Sequence, residues 1–393
     1  MSVAATAPRP GRARPVFLWD RWLLISSVAL LGLGLILVAS ASIAIADRAS
    51  GEPFYYFVRQ VIFMALGFAT AAFCMGVPSE NWIRARYLLL TGAFVLLIAV
   101  LLPGVGREVN GAVRWLSLGP VNLQVSEPAR LMILLYLASY VAVRQKALRT
   151  ELKSFLRPLG FVIAACALLM AQPDFGATTV LMATALAVLF AGGVKVRYFV
   201  VMLVLAAAAL GVLAMGSEYR LRRLTSFMDP WADPYNAGFQ LTQSLIAIGR
   251  GEWFGVGRGA GVQKLFYLPE AHTDFVFAVF AEEFGLVGVI IMLSLYGILL
   301  WRAFAIAAAA AAREQIFHAS LAFGLGVWLG AQAFVNIGVN MGLLPTKGLT
   351  LPLVSYGGSS LIVCMAAVGL LLRLSHETRA AEQGGNRRRR SAS

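Results

Sequence analysis

Charge is scarce in this chain. Only 13% of its 393 residues are Asp, Glu, Lys or Arg, against roughly 25% in soluble domains, and that deficit excludes an ordinary water-soluble globule. Cysteine is scarce too: Cys74, Cys166 and Cys364 all fall inside apolar segments, without the spacing of metal ligands. They read as small core residues and say nothing of compartment. Ten-residue segments of alternating polarity are missing, which excludes a transmembrane β-barrel.

What the chain has is hydrophobicity, 59% of its residues, gathered into long apolar runs. A run of about 18 residues or more can cross roughly 30 Å of hydrocarbon as a helix, and helices are then the remaining way to span a bilayer. The pattern predicts an all-α polytopic membrane protein with ten spans, at 22–46, 55–77, 85–103, 128–144, 156–172, 175–193, 197–216, 275–301, 315–340 and 352–373. The small residues "ASASIAIA" (Ala39 to Ala46) look like a signal-peptidase site. The apolar run before them exceeds the roughly 7 to 15 residues of a signal peptide, so the first span is expected to be retained.

Ten spans leave both termini on one side, and the basic residues select the side. With cytoplasmic termini, most of the 33 Lys and Arg lie inside, among them "NRRRR" (Asn386 to Arg390), Arg9, Arg12, Arg14, Arg21 and the loop from Arg144 to Arg157. That arrangement satisfies the positive-inside rule. The expected plan is a basic tail at 1–21, a membrane domain at 22–373 and a second basic tail at 374–393, with a long outward loop at 217–274 between the seventh and eighth spans. The net charge of +14 is then topogenic, facing anionic lipid at the inner leaflet rather than nucleic acid.

The basic residues left outside carry more information, because topology does not require them. Arg107 and Arg114 lie in "GREVNGAVRWLSLGPVNLQ" (Gly106 to Gln124), and Arg220, Arg222, Arg223, Arg250, Arg258 and Lys264 lie in the long loop. Arg59 and Arg130 fall inside spans or at their outer ends, where a charge needs a partner or a wet cavity. Such an outward basic cavity suits an anionic substrate. The loop itself mixes Asp-Pro turns, a semi-apolar helical stretch from Gly238 to Ile248 and a glycine-rich turn, "GVGRGAG" (Gly255 to Gly261). A loop of that length tends to be functional, and its apolar content predicts an ordered re-entrant or interfacial cap. No strand precedes the glycines, so they read as a close-packed turn rather than a nucleotide motif.

Carboxylates follow the same distribution. Glu127 and Arg130 stand three apart at the start of the fourth span, on one helix face, either as a simple ion pair or as part of a site. Asp174 in "AQPDFGAT" (Ala171 to Thr178) sits in a hairpin, where it could cap the next helix or serve a site. Glu282 and Glu283 lie about two turns inside the eighth span, a burial that implies partners or function. Gly357 and Gly358 in "TLPLVSYGGSS" (Thr350 to Ser360) permit a kink or close helix approach. The densest cluster is "LPEAHTDFVFA" (Leu268 to Ala278), with Glu270, His272 and Asp274 at alternate positions before an apolar run. Thr273 or Asp274 could cap the eighth helix. Alternatively, Asp274 against Phe275 and Phe277, with Glu270 near, is placed as a general base for a hydroxyl. Glu270 and His272 would then orient it, bind substrate or help hold a cation.

The motifs "LPEAHTDFVFAVFAEEFG", "PLVSYGGSS", "GAVRWLSLG" and "QPDFGATT" together resemble the SEDS family of bacterial shape, elongation, division and sporulation proteins. The likeness runs from the first span to Arg379, and "LLPTKGLTLPLVSYGGSS" with "LLRLSHETR" resembles the division branch more than the elongation branch. The resemblance implies a ten-span fold and a peptidoglycan glycosyltransferase that polymerises lipid II at the outer face of the plasma membrane, at the division septum. It implies Asp274 as the catalytic residue. The family's outward charged positions correspond to Arg114, Glu127, Arg130, Asp174 and Gln243 of "QLTQS"; Arg59, Trp115, Lys264, Glu270, His272 and Ser355 complete the candidate substrate-binding residues. Arg130 stands where the family often has Lys, which keeps the charge and changes its geometry; Ala281 stands where it commonly has Gly.

The implied chemistry is an inverting transfer with undecaprenyl pyrophosphate as leaving group, for which one base and a cationic clamp suffice. A divalent cation, Mg or Mn, is an expected cofactor with no ligand spacing to fix its site, and no organic cofactor is expected. Implied partners are lipid II, the undecaprenyl-linked glycan, a class B penicillin-binding protein transpeptidase, other divisome membrane proteins and the membrane itself. The competing function is a lipid II flippase, whose polar site would lie near the midplane within inverted repeats. No internal repeat is visible, and the polar residues gather outside. A silent scaffold would leave those charges unexplained.

Overall fold

The computed structural model describes residues 19–109, 111–119, 121–215, 226–236, 238–265, 268–345 and 348–392. Arg9, Arg12 and Arg14 of the expected tail, and Arg220, Arg222 and Arg223 of the long loop, lie outside these residues. The helices in chain order are α1 (Arg21–Ser50), α2 (Tyr55–Gly76), α3 (Ser79–Arg84), α4 (Arg86–Ala99), α5 (Ser126–Thr150), α6 (Leu152–Ala171), α7 (Phe175–Ala191), α8 (Val196–Met215), α9 (Phe239–Arg250), α10 (Val276–Ala311), α11 (Ile316–Asn340) and α12 (Gly358–Ala392). Among the described residues, seven helices are long and apolar enough to cross a membrane. Three shorter apolar helices, Arg86–Ala99, Phe175–Ala191 and Val196–Ala209, coincide with the third, sixth and seventh predicted spans. The protein is an all-α polytopic membrane protein.

The buried faces of α5, α7, α10, α11 and α12 meet in one apolar core that includes Phe277, Phe280, Trp328 and Leu371. Large residues such as Leu88 and Val204 point outward, as lipid-facing positions do when the solvent is hydrocarbon. Cys74, Cys166 and Cys364 are free and buried, as expected for core residues. At one end of the bundle Asp20 caps α1 by accepting from Leu23 N–H at 3.2 Å, and it also holds Arg302 at 2.7 Å and Arg379 at 2.8 Å. These contacts tie α1, α10 and α12 together. Glu377 of α12 makes a second knot there with Ser79, His318 and Arg373.

Several helix boundaries differ from the sequence reading; α5 runs to Thr150 and α12 to Ala392, past the expected 144 and 373. The eighth span was expected to end at 301, but α10 continues to Ala311 through an alanine run whose helix propensity is high. The tenth was expected to begin at 352, but 350–357 is non-helical and α12 begins at Gly358, where the ring of Phe63 leaves no room for a Cβ. A small sheet was also unforeseen. Strands β1 (Gly106–Val109), β2 (Ala112–Leu118) and β3 (Val121–Gln124) pair antiparallel in that order. Gly111 and Gly119 turn with φ of 74° and 72°, a backbone region open mainly to glycine. The sheet is pinned to the bundle where Gln124 N–H donates to Ser359 Oγ at 2.9 Å.

The glycine-rich loop proves to be a structural insert. Helix α10 breaks at Gly285, with φ 64° and ψ −166°, and a break in a membrane helix orphans backbone groups that no water can satisfy. The segment 252–257 satisfies them in both directions. Val256 N–H and Gly257 N–H donate to the carbonyls of Glu282 and Glu283 at 2.9 and 3.3 Å, while Leu286 N–H and Val287 N–H donate to the carbonyls of Glu252 and Trp253 at 2.8 and 3.1 Å. Glycines allow the approach: a Cβ at Gly251 would overlap the Ala281 carbonyl oxygen, and one at Gly255 the Glu283 carbonyl. The expected close-packed turn is therefore present, and it splices the broken helix.

This contact is testable within α9 and its cap. Gly249 has open space around its Cα, whereas Gly251 has none despite an ordinary φ of −68°. Gly251→Ala is expected to cost about 1–3 kcal/mol by overpacking, seen as a lower melting temperature in detergent. Gly249→Ala should leave that temperature unchanged or slightly raised.

Candidate active site

The segment before α10 brings the first candidates together. Helix α10 opens after its N-cap residue Phe275, whose own side chain makes no cap bond. The cap comes from another helix: Ala278 N–H donates to Asn340 Oδ1 of α11 at 3.2 Å. Asn340 Nδ2 donates back to the Asp274 carbonyl at 3.0 Å, and Asn336 Nδ2 donates to the same carbonyl at 2.8 Å. Asn336 also donates to the Leu349 carbonyl at 2.5 Å, which joins the 268–275 and 348–354 segments. Thr273 Oγ1 is engaged by Glu270, 2.7 Å from its Oε2.

Four residues further back along α11, Gln332 organises the second group. Its Oε1 accepts from Arg130 Nη1 at 2.8 Å and from Trp328 Nε1 at 3.0 Å, while its Nε2 donates to the Thr350 carbonyl at 3.0 Å. Arg130 also pairs with Glu127 at 3.1 Å and lies 5.4 Å from the Trp328 ring centroid. Both partners of that pair are almost fully buried, and Glu127 Oε2 and Arg130 Nε have no further partner. The predicted one-face pairing of Glu127 and Arg130 is correct. Gln332 and Thr350 beside it, and Asn336 and Asn340 further along α11, were missed by sequence reasoning. The signal was available: Trp328, Gln332, Asn336 and Asn340 recur every four residues, the spacing of one helix face.

Asp174 is the N-cap of α7, its Oδ1 accepting from Ala177 N–H at 3.1 Å. Its Oδ2 is buried without a partner, and its charge opposes that of Glu127. The capping reading therefore holds, with one oxygen left over. Arg114 on β2 reaches the same hairpin, donating to the carbonyls of Gln172 and Pro173 at 3.1 and 2.5 Å. Trp115 is half-buried and, as the next strand residue, points to the opposite face. The RW pair therefore does not act as one unit.

At the mouth of the bundle an aromatic group surrounds His272. The Tyr56 ring lies 4.7 Å from the imidazole centroid and 5.2 Å from that of Tyr356, and Tyr356 N–H donates to the His272 carbonyl at 2.9 Å. Arg59 lies 4.8 Å from the Tyr55 ring centroid and borders an open cavity of about 510 Å³ lined by Gly51, Glu52, Pro53, Phe54, Tyr55 and Val58. Burial holds the His272 imidazole below its ordinary value of 6.5, with the Glu270 carboxylate opposing. Glu270 itself has φ 56°, an uncommon conformation for a residue with a side chain.

Three candidates fall elsewhere. Lys264 is buried and its Nζ is held by Glu283 at 2.5 Å and Ser40 at 2.7 Å, so it braces α1, α10 and the loop instead of facing an open cavity. Glu282 likewise accepts from Val262 and Gln263 N–H at 3.0 and 3.2 Å and pairs with Arg250 at 3.4 Å. Ser355 Oγ accepts from Leu351 N–H at 2.8 Å, closing the turn before α12. Gln243 is half-buried on α9, next to Ser244, whose hydroxyl donates to the Asn340 carbonyl at 2.8 Å. That bond docks the cap helix over the Asp274 region. Among the described residues no three His, Cys, Asp or Glu side chains gather as metal ligands.

Fold and site together define an integral membrane protein with a polar seam that opens at one end of its helical bundle. The chain belongs to the FtsW/RodA/SpoVE family of cell cycle proteins, whose model matches residues 21–380. Over 359 residues it is 57% identical to a protein of Thioalkalivibrio sulfidiphilus named as a probable peptidoglycan glycosyltransferase FtsW, covering 91% of this chain and 90% of that protein. A protein of the same name from Alkalilimnicola ehrlichii is 53% identical over 375 residues, 95% of this chain and 94% of its own. A solved chain from "Structural coordination of polymerization and crosslinking by a peptidoglycan synthase complex" superposes with TM-score 0.74 at 34% identity, over 92% of this chain and 98% of that one. The rod shape determining protein RodA of Thermus thermophilus does so with TM-score 0.67 at 32% identity, over 91% and 97%. The SEDS resemblance is thus correct, and these FtsW relatives agree with the division branch.

Breaking the buried pair tests the placement of Lys264. Lys264→Ala is expected to destabilise by about 3–5 kcal/mol, and Lys264→Met with Glu283→Leu to recover most of it, both read as melting temperatures. An unchanged melting temperature in the single variant would return Lys264 to the open cations. His272 supplies a pH dependence. Its lowered value means that the folded protein binds fewer protons than the unfolded chain as pH falls through about 6.5, so stability declines on the acid side. His272→Gln should flatten that part of a melting-temperature profile.

Proposed function

We propose that this chain is a peptidoglycan glycosyltransferase that polymerises lipid II into glycan strands, with Asp274 as its general base. The observation that carries the reading is the setting of Asp274, at the mouth of α10 with its backbone held by two amides of the helix that also holds Arg130. The names of the relatives support the general activity. In the reaction, the 4-hydroxyl of an incoming lipid II gives its proton to the Asp274 carboxylate as its oxygen attacks the anomeric carbon of the growing strand. Undecaprenyl pyrophosphate leaves with the bonding electrons as an anion and needs no proton, so one base is enough. Attack opposite the leaving group converts an α-linked donor into a β-linked product.

The clamp for pyrophosphate is assigned to Arg59 and Arg114, both half-buried at this end of the bundle, with the buried Arg130 adding positive potential behind them. Trp115, Glu127, Asp174, Gln243, Glu270 and His272 line or support the substrate path in this reading. Lys264 and Ser355 are left out because their polar atoms are committed to Glu283 and to the Leu351 turn. The distribution of basic residues supports cytoplasmic termini and a site facing outward from the inner membrane, with action at the division septum. A class B penicillin-binding protein is the proposed partner, in keeping with the synthase complex that contains a structural neighbour.

The test is purified protein with its transpeptidase partner and lipid II. Wild type should make glycan polymer and folded Asp274→Asn should make none; polymer at the wild-type rate from that variant would remove Asp274 from the mechanism. Translocation of lipid II across liposomes by the same preparation, without polymer, would favour the flippase instead.

A further inference from the structure

Asparagine in a membrane helix is costly unless each polar atom finds a partner, and α11 carries two, one turn apart, at the end nearest Asp274. Asn340 spends its whole amide there: Oδ1 takes the Ala278 N–H, and Nδ2 reaches the Asp274 carbonyl and the Asn336 carbonyl at 3.0 and 2.8 Å. Asn336 directs its Nδ2 outward from its helix, to the carbonyls of Asp274 and Leu349, while its Oδ1 is buried without a partner. A helix start is normally capped by a side chain of its own segment, and Asp274 stands one residue from that role. We infer that Asn336 and Asn340 are positioning residues for the proposed transfer: Asn340 takes an N–H of the first turn of α10 and both amides hold the Asp274 carbonyl, so that Asp274 meets the acceptor hydroxyl in one fixed backbone geometry.

This inference rests on Asp274 as the base. It differs from plain helix packing in what it predicts, because a misplaced base slows the chemical step without weakening substrate binding. Displacement of about 1 Å can cost roughly 100-fold. Asn336→Leu keeps the volume and removes both donors, and Asn336→Gln restores an amide.

In the polymerisation assay, folded Asn336→Leu should lose about 10- to 100-fold in kcat with KM for lipid II within about twofold, and Asn336→Gln should recover part of the loss. A kcat within about twofold of wild type, or a raised KM with kcat intact, overturns the inference. Should Asn336→Leu fail to fold, Asn340→Asp decides on the same criteria, since it keeps the acceptor for Ala278 and loses the donor to Asp274. Wild-type kcat in these variants beside an inactive Asp274→Asn overturns the positioning role alone; an active Asp274→Asn overturns the base assignment and the inference with it.

Discussion

One helix face sets the geometry of the site. Gln332, Asn336 and Asn340 follow one another at four-residue intervals on α11, and successive turns of an α-helix are about 5.4 Å apart. The first holds Arg130 and the Thr350 carbonyl, the second ties Asp274 to Leu349, and the third caps α10. The spacing between the buried cation on α5 and the Asp274 backbone is therefore a property of a rigid element and not of the loop that carries Asp274. A loop-borne carboxylate would wander; here its carbonyl has two donors from a span packed in the core.

The rest of the architecture keeps that face in place. α10 is 36 residues long, about 54 Å if straight, well beyond the roughly 30 Å of a bilayer core. Its break at Gly285 lets the first turns, which follow Asp274, take their own direction. The break is tolerable only because the 252–257 segment accepts and donates the four orphaned bonds, and that segment is anchored by Arg250 to Glu282 and Lys264 to Glu283. The two carboxylates inside the span thus serve the splice, and the polar cost of burying them is offset by bonds that would otherwise be missing. The cap helix α9 inherits its position from the same splice, which is why Ser244 reaches the Asn340 carbonyl.

What could be read in the sequence follows the range of the interactions. Glu127 with Arg130 and Asp174 with Ala177 are contacts three residues apart, and local spacing predicted both. The spans were legible because hydrophobic runs are long and the bilayer thickness is fixed. The burial of Lys264 was not legible because its partners, Glu283 and Ser40, are 19 and 224 residues away, and a lone basic residue in a polar loop gives no hint of burial. The Asn340 contact was hidden for the same reason: local rules offer Thr273 or Asp274 as caps, whereas the residue that takes the Ala278 N–H is 62 residues distant. The small sheet was a different failure. Asn110-Gly111 is a strong hairpin signal, and it was passed over in favour of the charges around it.

The contrast between Asp174 and Asp274 shows what the misplaced cap means. Both stand at the start of a membrane helix, and both belong to short polar motifs. Asp174 spends an oxygen on its own helix, as such residues usually do. Asp274 precedes the N-cap Phe275, and there Asn340 of α11 takes the Ala278 N–H and also holds the Asp274 carbonyl. Burying an amide is tolerable when its hydrogen bonds are made, and Asn340 makes all of its own at this one place. The two aspartates, alike in their sequence surroundings, are thus held in different ways: Asp174 through its own cap bond with one oxygen left over, and Asp274 through a backbone carbonyl fixed by a neighbouring span, which is the setting on which its proposed role as base rests.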